Sequence, residues 1–284
     1  MSTGSHTLTD TGLRTVIEPA PAWQLVNLRE LWQFRELLGI LIWRDVKVRY
    51  KQTLLGAAWA VLQPALMMVV FTIFFARAAQ VPTGDWPYPV FVYAGLLPWL
   101  FFSNSVSHAA QSVVNSERLI TKVYFPRLAI PFASVGAAVV DFCVALVLLL
   151  ILMACYGIVP SVNMLLVPIV MACLLLAATG VGTLLAALNV KYRDVRYISP
   201  FLLQVWMFAT PSIYLSLEAG GGSRLGPWLA LNPLVPLVST FRAAVLGGEV
   251  AWPGLLLSAA ACGLLFIVGC VYFRHVEDGF SDII

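Results

Sequence analysis

The residues able to do chemistry are few in this chain, and they are scattered. Asp141 is the only acidic residue deep inside a long apolar run. A carboxylate at the centre of a helix in lipid costs about 2.5–3.5 kcal/mol, so something must hold it. Either it lines a water-filled pathway as an ion or proton site, or neighbouring Ser, Asn or Arg side chains cap it inside a bundle. Ion- or proton-driven transport usually needs more than one buried ionisable group, which favours the capped carboxylate. The histidines (His6, His108 and His275) lie far apart. The one acidic–histidine group, His275, Glu277 and Asp278, reads as a solvated tail. No GxxxxGK[ST] phosphate loop, HExxH or GxSxG elbow occurs, so phosphate-loop ATP binding and these hydrolytic chemistries are not expected. Cys143, Cys155, Cys173, Cys262 and Cys270 sit in or beside apolar runs without a CxxC pattern, as small packing residues do. The sequence therefore points away from an enzyme, a metal site or a nucleic-acid partner.

Four other groups could carry a function. Met67, Phe71 and Phe74 share a helical face, with Phe75 adjacent, and Tyr197, Phe201 and Phe208 share another with Gln204. Apolar ring faces beside an amide suit a sugar, which presents C–H faces as well as hydroxyls; lipid- or core-facing aromatics are the alternative. Arg44, Lys47, Arg49 and Lys51 precede the first long apolar run, where they would anchor to anionic lipid headgroups. The fourth group is the short segment Ser116 to Arg127, between two apolar runs. Ser116 is a reasonable N-cap and Pro126 a terminator, and Arg118, Lys122 and Arg127 are basic. It also holds Leu119, Ile120, Val123, Tyr124 and Phe125, which a solvated loop has little reason to carry. A short helix here would place Leu119, Ile120 and Val123 in a groove on a partner, with Glu117 and Arg118 at the rim; a plain solvated loop is the alternative.

The elements that must position these residues are membrane spans. Of 284 residues, 60% are hydrophobic and 11% charged, with a mean hydropathy of +0.88. Soluble domains carry about a quarter charged residues. The chain is read as an all-α membrane protein of six transmembrane helices. A span needs about 20 apolar residues, which places them at Leu54–Ala76, Tyr88–His108, Leu128–Tyr156, Met164–Leu188, Ile198–Leu217 and Leu255–Phe273. Residues 1–21 are polar, with no signal-peptide core, and form a cytoplasmic tail. Residues 22–51 form an amphipathic helix on the inner membrane surface, with Gly39 as its candidate break. Residues 52–284 form the transmembrane domain. Between the fifth and sixth spans, residues 225–247 are apolar but broken by Pro227, Pro233 and Pro236. Two short outer re-entrant helices fit this better than a seventh span, since non-helical backbone needs protein or a cavity around it. With the N-terminus inside, 14 of the 17 Lys and Arg residues fall on the cytoplasmic side, a strong positive-inside bias that puts both termini in the cytoplasm. Small residues at four-residue spacing, Ala178, Gly182 and Ala186, then Ala259 and Gly263, predict close helix packing within or between subunits.

Five segments in order carry a resemblance. They are RDVKVRYKQTLLGAAWAVLQP (Arg44 to Pro64), AGLLPWLFFSNSV (Ala94 to Val106), LITKVYFPRLAIP (Leu119 to Pro131), LNVKYRDVRYI (Leu188 to Ile198) and LNPLVPLVSTFRAAVLG (Leu231 to Gly247). The chain resembles the type-2 ABC transporter permeases that export polysaccharides, such as the O-antigen and teichoic-acid translocators. The resemblance implies a six-span subunit of the cytoplasmic membrane that pairs with a second copy of itself. Two separate ATPase subunits, which would hold the ATP and Mg, would dock beneath, leaving no cofactor in this chain. It implies that Ser116 to Arg127 contains the coupling helix, and that the first and fifth spans line the passage for a lipid-linked polysaccharide. Arg44, Lys47, Arg49 and Lys51 would then also receive the phosphate of the lipid linkage, with Arg suited to bidentate contacts. Same-family permeases for a lipid or drug, and a self-contained transporter relying on Asp141, remain as alternatives.

Overall fold

The computed structural model describes residues 32–51, 56–74, 86–122, 125–210, 232–277 and 279–280. The expected tail 1–21, all of 22–31, and residues Phe75, Val123, Tyr124 and 225–231 lie outside the described residues. The described elements are helical. In chain order they are α1 (Arg35–Tyr50), α2 (Trp59–Phe71), α3 (Tyr88–Asn115), α4 (Glu117–Lys122), α5 (Ala129–Cys155), α6 (Val167–Lys191), α7 (Val195–Phe208), α8 (Leu234–Leu246) and α9 (Trp252–Glu277).

Four of them are long and apolar enough to cross a membrane: α3, α5, α6 with its 3-10 lead-in from Val162, and α9. At 1.5 Å per residue, the 28, 27 and 26 residues of α3, α5 and α9 exceed the ~30 Å of hydrocarbon. The first and fifth expected spans are represented by α2 and α7. Their 13 and 14 helical residues reach only about 20 Å. Gly39 does not break α1, which runs through it; the turn lies before the helix, at Phe34. In the expected re-entrant region, α8 ends at Gly247, whose φ of 86° closes the helix in a left-handed cap.

α3 is the central element. Most of it is buried, packed against α5, α6, α8 and α2. The outer helices instead present apolar side chains outwards, such as Val147 and Ile151 of α5 and Leu257, Leu264 and Val268 of α9. α6 lies between α3 and α9, and glycines set both crossings. A Cβ on Gly182 would sit 2.7 Å from the Ala109 Cβ of α3, and one on Gly180 would strike the backbone of Leu265 and Phe266 in α9. From the other side, a Cβ on Gly269 would strike the Gly180 carbonyl. The sequence marks Gly182 for such a contact, but on α9 the close approach is at Gly269. Gly263 has nothing within 4 Å inside the chain.

One end of the bundle gathers the last turns of α3, α6 and α9 with α4 and the first turn of α5. Val113, Ile120, Phe125, Leu128, Val190 and Phe273 share a buried cluster there, which Leu41 of α1 joins. Phe280 closes it, ring-to-edge on Phe273 with centroids 5.2 Å apart. Arg127 donates to the Glu277 carbonyl, tying the α5 approach to the end of α9. At the opposite end, Ser258 of α9 donates to the Pro233 carbonyl at the head of α8.

Candidate functional site

The N-terminal helix is held to the bundle by polar groups at one-turn spacing. Leu41, Asp45 and Arg49 fall at i, i+4 and i+8, one face of α1. Leu41 is buried, the Ser134 hydroxyl donates to Asp45 Oδ2 at 3.2 Å, and Arg49 pairs with Asp141 Oδ2. The Tyr50 hydroxyl donates to Asp141 Oδ1. Gly136 of α5 leaves room for Ile42 between these contacts. Burial first, and then the hydrogen bond to Asp141, push the Tyr50 phenol up to about 12, so it remains a donor at any ordinary pH.

This arrangement divides the basic cluster. Arg49 is committed to Asp141, and Arg44 forks onto Asp45 Oδ1 at 3.0 Å through Nε and 2.8 Å through Nη2. Lys47 and Lys51 remain exposed, Lys47 over the Trp43 ring at 5.0 Å. Asp141 is thus a capped carboxylate, its cation supplied by the surface helix. Asp45 and Ser134, absent from the sequence-based candidates, complete the clamp; the i, i+4, i+8 spacing was the local signal for Asp45, and Ser134 on α5 had none.

The aromatic face of α7 is open, and that of α2 is open in part. On α7, Tyr197, Phe201, Gln204 and Phe208 are all exposed, while Ser199, Leu203 and Trp206 turn inwards. At i, i+4, i+7 and i+11 the exposed group forms a ladder about 16 Å long. Met67 and Phe74 are exposed on and just beyond α2, and Phe71 is partly buried against the core. α2 packs on α3 and α5, and α7 on α3 and α6. The C-terminal end of α7 is joined to α8 through Asn232. Its carbonyl accepts from Trp206 Nε1 at 3.0 Å and from the Leu234 amide at 3.1 Å, and its amide donates to Ala209 and Thr210. Both ends of this buried amide are therefore satisfied.

In the segment from Ser116, Ile120 faces the other way from the expectation. In α4, Ile120 is 7% exposed and belongs to the chain's own cluster, so it is not offered to a partner. Leu119 is half-buried, while Glu117, Arg118, Thr121 and Lys122 are exposed. Ser116 caps through its backbone: its carbonyl accepts from the Leu119 amide at 2.9 Å and the Ile120 amide at 3.2 Å. The surface that α4 shows is charged, because its apolar side fills the space between α3, α5 and α9.

The ABC-2 type transporter family model matches residues 36–246, from α1 through α8. The chain belongs to that family. Among relatives of this ABC-2 protein, the O-antigen export system permease protein RfbA of Myxococcus xanthus is 34% identical over 253 residues, covering 88% of this chain and 96% of that protein. A Klebsiella pneumoniae protein of the same name is 24% identical, covering 88% and 95%. The polysialic acid transport protein KpsM of Escherichia coli is 22% identical, covering 84% and 92%. The ABC-2 chain is thus a multi-pass membrane permease, as its apolar helices also indicate.

Proposed function

We propose that this chain is the permease subunit of an ABC transporter that exports a lipid-linked polysaccharide across the cytoplasmic membrane, working as a homodimer driven by two separate ATPase subunits. The observation that carries this is the near full-length likeness to an O-antigen export permease at 34% identity. In this reading α2 and α7 extend through residues outside the described set to make six spans, and α8 belongs to the outer re-entrant region. Both termini lie in the cytoplasm, with the basic end of the bundle. The exposed aromatic faces of α2 and α7 line the passage, and Lys47 and Lys51 meet the phosphate of the lipid linkage. The pairing of Asp141 with Arg49 supports a structural role for it over ion coupling.

The test is export in cells deleted for the chain, with and without its ATPase. Surface polysaccharide should require both, and co-purification should recover the ATPase with the permease. The charged face of α4 is the place to break that contact. Arg118→Glu with Lys122→Glu turns attraction to an acidic docking surface into repulsion, which costs several kcal/mol where like charges meet. The double variant should insert normally, lose at least tenfold in ATPase recovery and stop exporting. Undiminished recovery would show that the motor docks elsewhere.

The passage is tested by Phe71→Ala with Phe201→Ala. At about 1 kcal/mol per ring contact, the pair should slow export by roughly tenfold or more, with dimer and ATPase recovery unchanged. Export at the normal rate would mean that these rings face lipid.

A further inference from the structure

A stripe of polar side chains on α3 is unused by the assignments above. Asn104, His108, Ser112 and Asn115 stand at i, i+4, i+8 and i+11, along one face over about 16 Å. Polar groups in a spanning helix are costly unless they face protein or water. These open on two adjoining cavities. In the deeper, of ≈300 Å³, Asn104 and His108 lie across from Gln63 of α2 and Asp141 of α5. In the shallower, of ≈370 Å³, Ser112 and Asn115 share the lining with Arg44, Asp45 and Ser134. Arg49 and His108 line both, so the cavities are successive reaches of one groove. It runs from the α4 end of the bundle into the protein, between α1, α3 and α5.

The chemistry of the walls narrows the occupant. Their charges cancel locally, since Arg44 is paired with Asp45 and Arg49 with Asp141. A phosphate would find both guanidinium groups already engaged. An alkyl chain would leave two amides and an imidazole dry, and each unsatisfied group opposes its binding. Amides and hydroxyls supply donors and acceptors alike, and Trp59, Phe101 and Phe142 flank the deep end. That mixture fits an uncharged, hydroxyl-rich ring. A volume of ≈300 Å³ is at the lower limit of small-molecule pockets, room for a single sugar rather than a chain.

We propose that this groove inside one subunit seats an uncharged sugar at the lipid-linked end of the substrate, while the exposed Lys47 and Lys51 meet the anionic linkage at the membrane surface. The proposal rests on the export reading and adds a binding site to it, apart from the outward aromatic faces.

The experiment uses the permease with its ATPase in nanodiscs. The probe is a short-chain alkyl diphosphate disaccharide carrying a diazirine on the sugar next to the phosphate; its competitor is the same alkyl diphosphate without sugar. Photolabel should fall on residues 104–115 of α3 or on Gln63. Asn104→Leu and Gln63→Leu should each lower the yield at least fivefold, with elution profile and thermal midpoint as in the wild type. Should either variant fold poorly, Asn104→Gln or Gln63→Asn takes its place, and the yield should again fall. The sugar-free diphosphate, which keeps only the contact with Lys47 and Lys51, should compete no more than in part. Label confined to α7 or the outward face of α2, equal yields in the folded variants, or full competition by the sugar-free compound would each overturn the proposal. Polysaccharide export measured in parallel separates the two readings. Export with an unlabelled groove sinks the groove alone, and a labelled groove without export sinks the export reading.

Discussion

Asp141→Leu should cost the folded permease about 2 kcal/mol and leave its response to a proton gradient unchanged. Removing one partner of a fully buried ion pair costs about 3–5 kcal/mol, because the other charge is left uncompensated. Arg49 and Asp141 are each about a fifth exposed, at 20% and 21%, so water recovers part of that. Arg49→Met combined with Asp141→Leu should regain most of the loss, as the non-additivity of a coupled pair requires. Tyr50→Phe should cost about 1.5 kcal/mol, in the range for a hydrogen bond to a charged group. The sign of the Tyr50 effect fixes its pH window. Its pKa in the folded protein is raised to about 12 from an ordinary value near 10. The stability it contributes is therefore intact below about pH 10 and lost as pH rises towards 12. Thermal midpoints of the four proteins between pH 5 and 9 should consequently run parallel. Transport by Asp141→Asn that ignores a proton gradient to which the wild type responds would restore Asp141 as a coupling site.

The largest effect is expected at the α6–α9 crossing. A side chain on Gly180 meets the Leu265 and Phe266 backbone, not a movable side-chain tip. Overpacking a close-packed interior typically costs 1–3 kcal/mol, and a rigid backbone on the far side places Gly180→Leu at or above about 3 kcal/mol. It should yield little monodisperse protein. Gly263→Leu is the control: it has open space around it and gains up to about 1 kcal/mol of helix propensity. Size-exclusion profiles in detergent compare the two, and an unchanged profile for Gly180→Leu would show that the helices cross elsewhere.

How much of this was legible in the sequence depended on whether the cause was local. α5 and α9 could be placed within a few residues, because their lipid-facing sides keep every turn apolar. α3 was cut short at His108, although the helix continues to Asn115. It is markedly less apolar than α5 or α9. A helix wrapped by its neighbours has no lipid to satisfy, and the polar stripe that lowered the signal is the wall of the groove. The capped state of Asp141 could be argued from its isolation. Its partner could not, since Arg49 lies 92 residues away and α1 must first settle on α5. The inward turn of Ile120 was hidden for the same reason. An apolar residue in a short loop announces that it will be covered, not whether its own chain or another will cover it. The aromatic faces were legible as faces, and what they look onto depends on a second subunit or on lipid.

The Arg127–Glu277 and Phe280 contacts give α9 a second character. At its C-terminal end it is fastened to the approach of α5, beside the exposed face of α4, and at its far end Ser258 grips the head of α8. α8 in turn holds the end of α7 through Asn232. A continuous rod of contacts therefore runs along the flank of the subunit, from the α4 end of the bundle to the opposite end. Under the export function proposed above, a stroke delivered at the α4 end would reach the opposite rim along this line of contacts.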